Sequence, residues 1–188
     1  MSFPQGGQER PVLRLSTLVP PAVAALVAIF ATPAAASTCA GSDLAPSGSA
    51  QPAAASAVVC LLNAERTQRN LAPLRDSAPL RAAAGRYARL MVAGGFFDHV
   101  SPTGSTLRAR IAGIGYMKPT GCAIGENIAT GSGELSAPAA IVAAWMASPG
   151  HRRNILTRKF RDVGIGVANG MAGEGEGATY VADFGRRG

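Results

Sequence analysis

Between Val163 and Val167 a large apolar residue alternates with glycine, Val-Gly-Ile-Gly-Val. A two-residue period of that kind fits a β-strand and no helix. Ala178–Phe184 reads as a second strand, and the Gly-rich stretch 169–177 between the two as the turn of an antiparallel hairpin. A third, short strand is expected at Gly125–Ala129. Earlier in the chain the period changes. Leu80, Ala84, Tyr87, Ala88 and Met91 recur at three- and four-residue steps. They predict a helix that starts at Ser77, carries Pro79 in its first turn and ends at Gly94-Gly95. Ser56 is expected to cap an earlier helix running towards Asn70, which Pro73 stops. Ser105 opens a short helix through Arg110. Ser136 and Pro138 open another, with Ile141, Val142 and Trp145 on its core side and Pro149-Gly150 closing it. Helices mostly first and strands mostly last make the class α+β rather than repeating βαβ.

The N-terminus has a different character. Residues 1–14 are polar and carry Arg10 and Arg14, residues 15–30 are apolar, and Ala34-Ala35-Ala36-Ser37 follows. That order predicts a signal peptide over 1–36, cut near Ala36–Ser37. A retained anchor is the weaker reading, because Pro20-Pro21 interrupts the apolar run and the run is short for a span. Lipidation of Cys39 is a further alternative, with the bulky Thr38 against it. Residues 37–55, rich in Ala, Ser, Pro and Gly, read as a flexible linker or arm, so the folded domain is expected over 56–188. About 150 residues then remain, enough for one domain. No stable transmembrane span is expected after cleavage. The protein is expected to be secreted, extracellular or periplasmic, where disulfides form. Among Cys39, Cys60 and Cys122 the preferred bridge is Cys39–Cys60, tying the mature N-terminus to the first helix, with Cys60–Cys122 as the alternative. The spacings do not suit a zinc knuckle, and Cys122 has no neighbouring base or cation to activate it.

Formal net charge is +7; the first 36 residues hold Arg10, Arg14 and Glu9, a net +1, which leaves +6 for the rest. The basic residues are scattered and not interleaved with aromatics, so they read as a solvated surface, and no nucleic-acid motif or partner is expected. Apolar residues make up 47%, much of it Ala, and aromatics only 5%. The core is therefore expected from small aliphatic side chains, a few Phe and Tyr, and Trp145.

Chemistry can come from few places. The chain has two histidines, His99 in Asp98-His99-Val100-Ser101-Pro102 and His151 after Ser148-Pro149-Gly150. Glu126 sits in an otherwise small and apolar stretch, where a carboxylate needs a partner. Two imidazoles and a carboxylate are a common zinc ligand set with one open position, and the same trio can act as general acid and base. Each residue also has a structural reading: a histidine after a helix satisfies backbone carbonyls, and a glutamate in a strand can hold a loop. Spacing alone does not bring the three together.

From Leu61-Leu62-Asn63-Ala64-Glu65-Arg66 to Val181-Ala182-Asp183-Phe184, about two-thirds of the sequence, the chain resembles the CAP superfamily, the cysteine-rich secretory, antigen 5 and pathogenesis-related group, in its bacterial SCP-like form. The stretches that carry the resemblance are Phe97-Asp98-His99-Val100-Ser101-Pro102, Gly125-Glu126-Asn127-Ile128-Ala129, Ala144 to Leu156 with Trp145 and His151, and Val163 to Val167. It implies a three-layer α-β-α sandwich, with a mainly antiparallel central sheet, around a large cleft. His99, Glu126 and His151 match three of the four polar residues that face the cleft in the family. At the fourth place, an acid in animal and plant members, stands Ser148, as in bacterial relatives. Ser148 lacks a G-x-S-x-G setting and is expected to cap the turn into Pro149-Gly150. Asn154, like Asn127, is expected to bond loop backbone and fix the His151 loop. The resemblance implies a binding module for a small apolar or cell-envelope ligand or a divalent metal, with Zn²⁺ as the candidate ion. The alternative is a zinc-dependent hydrolase using His99, His151 and Glu126, and a third reading is a structural or signalling surface with a vestigial cleft.

Overall fold

The computed structural model of the chain describes residues 39–118, 120–173 and 175–188; the expected signal peptide over 1–36 lies outside them. The elements follow as α1 (Gln51–Thr67), β1 (Arg75–Asp76), α2 (Ala78–Gly94), α3 (Leu107–Gly113), β2 (Ala123–Gly131), a 3₁₀ turn (Gly133–Ser136), α4 (Pro138–Ala147), α5 (Pro149–Ile155), β3 (Asp162–Met171) and β4 (Gly175–Arg186). The strands form one sheet in the order β1-β3-β4-β2. β3–β4 and β4–β2 are antiparallel, whereas β1 joins β3 in parallel, so the sheet is mixed rather than mainly antiparallel. β1 is two residues long, too short for any period to announce it. Its place is set by Arg75 N donating to Arg161 O at 2.9 Å and Ser77 N to Val163 O at 2.8 Å.

The alternation in β3 and β4 sorts the two faces. Val163, Ile165, Val167, Tyr180, Ala182 and Phe184 point to one side and pack with Val58 and Leu62 of α1, Ile141 and Trp145 of α4 and Ile155 of α5. On the other side α2 lays Ala84, Tyr87, Ala88 and Met91 over Ile128, Ala168 and Val181, and Leu80 meets Ile111 of α3 and Tyr116. Gly164 and Gly166 explain how α2 approaches so closely. A Cβ at Gly164 would fall on the backbone of Leu80–Arg81, and one at Gly166 on that of Ala84–Gly85. The helix backbone thus occupies the space that side chains would need.

Several boundaries differ from the sequence-based expectation. α1 begins at Gln51, with Pro52 in its first turn, so residues 51–55 are helical rather than arm. The run Pro-Ala-Ala-Ala supplies good helix formers and a tolerated first-turn proline, while the Ser56 hydroxyl donates back to Pro52 O instead of capping. Residues 39–50 run in turns, with Ser42 O accepting from Ala139 N at 2.8 Å and Gly48 O from Asn169 Nδ2 at 2.9 Å. Cys39 and Cys60 form the disulfide, with Cα atoms 5.8 Å apart, and Cys122 is a free thiol. Thr106, not Ser105, caps α3, its hydroxyl accepting from Ala109 N. Pro149-Gly150 opens α5 as well as ending α4. Ser148 serves both helix ends through its backbone, and its hydroxyl makes no cap bond.

Arg66 departs most from the picture of a solvated basic surface. It is 1% exposed and donates to Ala72 O at 2.9 Å, Ile155 O at 2.6 Å and Thr157 O at 3.1 Å. Burial pushes its pKa down, with Arg161 adding to the effect. A guanidinium with donors in a fixed fork can satisfy several carbonyls at once, and here it clamps the end of α1 to the end of α5.

Candidate functional site

Glu126 projects from β2 on the α2 side of the sheet and is buried. Its two oxygens are both engaged. Oε1 lies 2.8 Å from His99 Nδ1, and Oε2 accepts from Arg110 Nη2 at 2.6 Å. His99 stands in the loop after α2, and its side chain is 53% exposed against 2% for Glu126. Charge-assisted bonds of this length are the strong kind. The carboxylate hydrogen bond raises the His99 pKa above 6.5, with partial burial opposing.

Arg110, from α3, is the centre of the constellation. Its Nη1 donates to Ser105 O at 2.9 Å and His99 O at 3.2 Å, and its guanidinium lies 3.3 Å from the centroid of the Tyr87 ring. Tyr87 in turn donates to Asp98 O at 2.7 Å, so the loop carrying His99 is held from both sides. A stacked guanidinium that bonds a carboxylate through one nitrogen and two carbonyls through the other orients its partners in a way that a lysine does not.

Beneath Glu126 lies a second carboxyl. Asp183 of β4 is the register partner of Glu126, is fully buried, and meets no N–H or O–H donor at either oxygen; as the neutral acid it can itself donate to Glu126. Arg110 Nε is likewise buried and unpaired. One guanidinium therefore bonds Glu126 and acts on Asp183 only through its charge. Burial, followed by the Glu126 charge, holds the Asp183 pKa well above the usual carboxylate range, with Arg110 opposing, and this favours the neutral acid.

The third residue expected here, His151, lies on α5 and is half-buried. Its ring makes no hydrogen bond to His99 or Glu126. The connection runs through two asparagines. Asn127 Nδ2 donates to His151 O at 3.1 Å, and Asn154 Nδ2 donates to Glu126 O at 3.0 Å and Asn127 Oδ1 at 2.8 Å. Burial lowers the His151 pKa, and the charge of His99 lowers it further. The two imidazoles are thus pushed in opposite directions. Ser148 is half-buried at the start of α5, with no hydrogen bond from its hydroxyl to any of these groups.

Among the described residues no three His, Cys, Asp or Glu side chains are gathered to hold an ion. The carboxylate that would ligate has both oxygens taken, one by a guanidinium whose positive charge opposes a cation.

Sequence reasoning passed over Arg110, Tyr87 and Asp183. Asp183 carried a usable signal, a charged residue inside the apolar run Val181-Ala182-Asp183-Phe184, the same signal that singled out Glu126. Arg110 carried none, since Arg108 on the same short helix looks equivalent and is exposed. Tyr87 reads only as core.

The family model for the cysteine-rich secretory protein family (CAP) matches residues 59–184. The uncharacterized protein YkwD of Bacillus subtilis is 38% identical over 109 residues, 58% of this chain and 40% of that protein. An extracellular protein containing an SCP domain from Bacillus anthracis superposes with a TM-score of 0.61 at 27% identity, covering 71% of this chain and 40% of that one. An outer surface protein from Borrelia burgdorferi gives 0.58 at 21% identity, covering 70% of this chain and 90% of that one. At that identity the likeness speaks for the fold alone. The chain spans 40% of the length of the curated relative it matches.

Proposed function

Because the chain belongs to the cysteine-rich secretory protein (CAP) family, we propose that it is a secreted binding module. The region around His99 would take a small apolar or cell-envelope ligand. One observation carries this reading. Glu126 holds the His99 ring by Nδ1, and Nε2, unbonded within the described residues, stands on an exposed side chain. Phe97 and Val100, on either side in sequence, are 45% and 44% exposed. A single oriented polar atom on a loop that also exposes two large apolar residues suits a ligand with one hydroxyl or acid group on an apolar body. Because both Glu126 oxygens are consumed internally, the site offers no free carboxylate.

Export is supported by the disulfide, which belongs to an oxidising compartment, and by the similarity to an SCP-domain protein described as extracellular. Among the described residues no helix is long and apolar enough to cross a membrane.

A hydrolase is the second reading, and the His99–Glu126 pair favours it, since an imidazole oriented by a carboxylate is what a general base requires. The zinc-dependent version has less support, given that both Glu126 oxygens are occupied. Calorimetric titration with palmitate tests the main reading. His99→Ala and Phe97→Ser are each expected to weaken binding at least about tenfold, the loss of about 1.4 kcal/mol. Unchanged affinity in both variants would sink it. Stoichiometric zinc that vanishes in His99→Ala would move the case to the metal-dependent enzyme.

A further inference from the structure

A second surface lies at the end of α5 and in the turn that leads to β3. From Gly150 to Arg161 the chain has no acidic residue and five basic ones, Arg152, Arg153, Arg158, Lys159 and Arg161. All five are exposed. The side chains of Arg152, Arg153, Arg158 and Lys159 make no ion pair or hydrogen bond within the described residues, while Arg161 folds its guanidinium onto Arg158 O and Phe160 O. The next acid, Asp162, is buried and bound by Arg75 and Tyr116.

The backbone under these cations is anchored. Buried Arg66 bonds Ile155 O and Thr157 O, and Thr157 Oγ1 donates to Arg153 O at 2.7 Å. Arg152 and Arg153 also border an open hollow of about 390 Å³ floored by Met146, Ala147, Pro149 and Leu156. No large apolar side chain stands out from this face; the exposed ones, Leu44, Leu90, Phe97, Val100 and Leu135, belong to other segments.

We propose that this basic strip is a docking surface for a linear polyanion, a polymer carrying phosphate or carboxylate groups at repeated intervals. Four unpaired, exposed cations between residues 152 and 159 on an anchored backbone give electrostatic affinity through release of the polymer's counterions. A lipid bilayer fits less well, because interfacial binding draws on apolar side chains that enter the headgroup region, and this face presents none.

The test is titration calorimetry of the protein with long-chain inorganic polyphosphate. If four cations engage, affinity falls about 50-fold between about 50 and about 200 mM salt. The charge reversal Arg152→Glu/Arg153→Glu is expected to weaken binding at least about tenfold and to halve the salt dependence. Arg86→Glu/Arg89→Glu on α2 makes the same change in net charge away from the strip and is expected to cost less than about threefold. All four positions are exposed, so both double variants are expected to melt like the parent, which thermal melts check. Equal losses in the two double variants would show that binding follows net charge alone and would overturn the proposal. So would absence of polyphosphate binding at low salt, or binding only to vesicles of equal parts phosphatidylglycerol and phosphatidylcholine. His99→Ala is expected to leave polyphosphate affinity unchanged, which separates this surface from the site around His99.

Discussion

The two faces of the sheet are stabilised by different means. On the α1–α4–α5 side, Tyr180, Ala182 and Phe184 enter a core of apolar side chains, with Phe160 stacked on Phe184 at 5.6 Å. On the α2 side, the same strand and its neighbour bury Asp183 and Glu126 beside Arg110. The first face gains from area removed from water, which tolerates small adjustments. The second buries apolar side chains too, under α2 and α3, but adds a few charges that must be matched, and it leaves Arg110 Nε unpaired. Such a cost is retained at sites that bind or react more often than in cores built for stability alone.

The contrast can be broken most severely through the glycines. Gly166→Val would drive a side chain into the backbone of Ala84–Gly85. Loss of cooperative folding is expected, a destabilisation beyond about 4 kcal/mol, read by circular dichroism and thermal melting. A variant that melts like the parent would mean that α2 does not rest on β3 as described.

Next come paired removals on the two faces. Phe184→Ala should cost about 3–5 kcal/mol in denaturant unfolding, as expected for a large side chain in an apolar core. Glu126→Gln alone should cost less, because Asp183 can then ionise and face Arg110 in its place. Glu126→Gln/Asp183→Asn removes both carboxylates, strands the guanidinium and should cost about 3–5 kcal/mol. Additive single effects in this cycle would show that the two acids do not share Arg110.

A smaller effect of opposite sign is expected from Asp183→Asn. The folded-state pKa of Asp183 is raised above 3.8, so the native state binds the proton more tightly than the unfolded chain. Its contribution is present below 3.8 and declines as pH rises towards the folded value. The variant should therefore gain stability over the parent as pH rises through that window, a gain of about 1 kcal/mol because the amide has no charge for burial to penalise. Parallel stability–pH curves would contradict it.

The finest test perturbs nothing. The chain has two histidines, so two imidazole resonances report the site. His99 is expected to titrate above 6.5 and His151 below it. Stability linked to His99 is present below 6.5 and lost as pH rises through its folded value. Stability linked to His151 is present above 6.5 and lost as pH falls through its own. Coincident titrations would mean that Glu126 does not hold His99 in solution.

The amino-acid order by itself determined the α+β class, α2 with its Gly95 stop, the β3–β4 hairpin, and the candidacy of His99, Glu126 and His151. Each of these rests on local period, chain stiffness or residue chemistry, which neighbours along the chain express. Only the tertiary structure decided that β1 would join the sheet in parallel, that Arg66 would be buried and Arg110 largely covered while Arg108 and Arg152 stay in water, and that Asp183 would sit opposite Glu126. Those outcomes depend on which backbone carbonyls and carboxyls arrive from segments far away in sequence. The free energy of a buried charge is set by such partners and not by its own residue type.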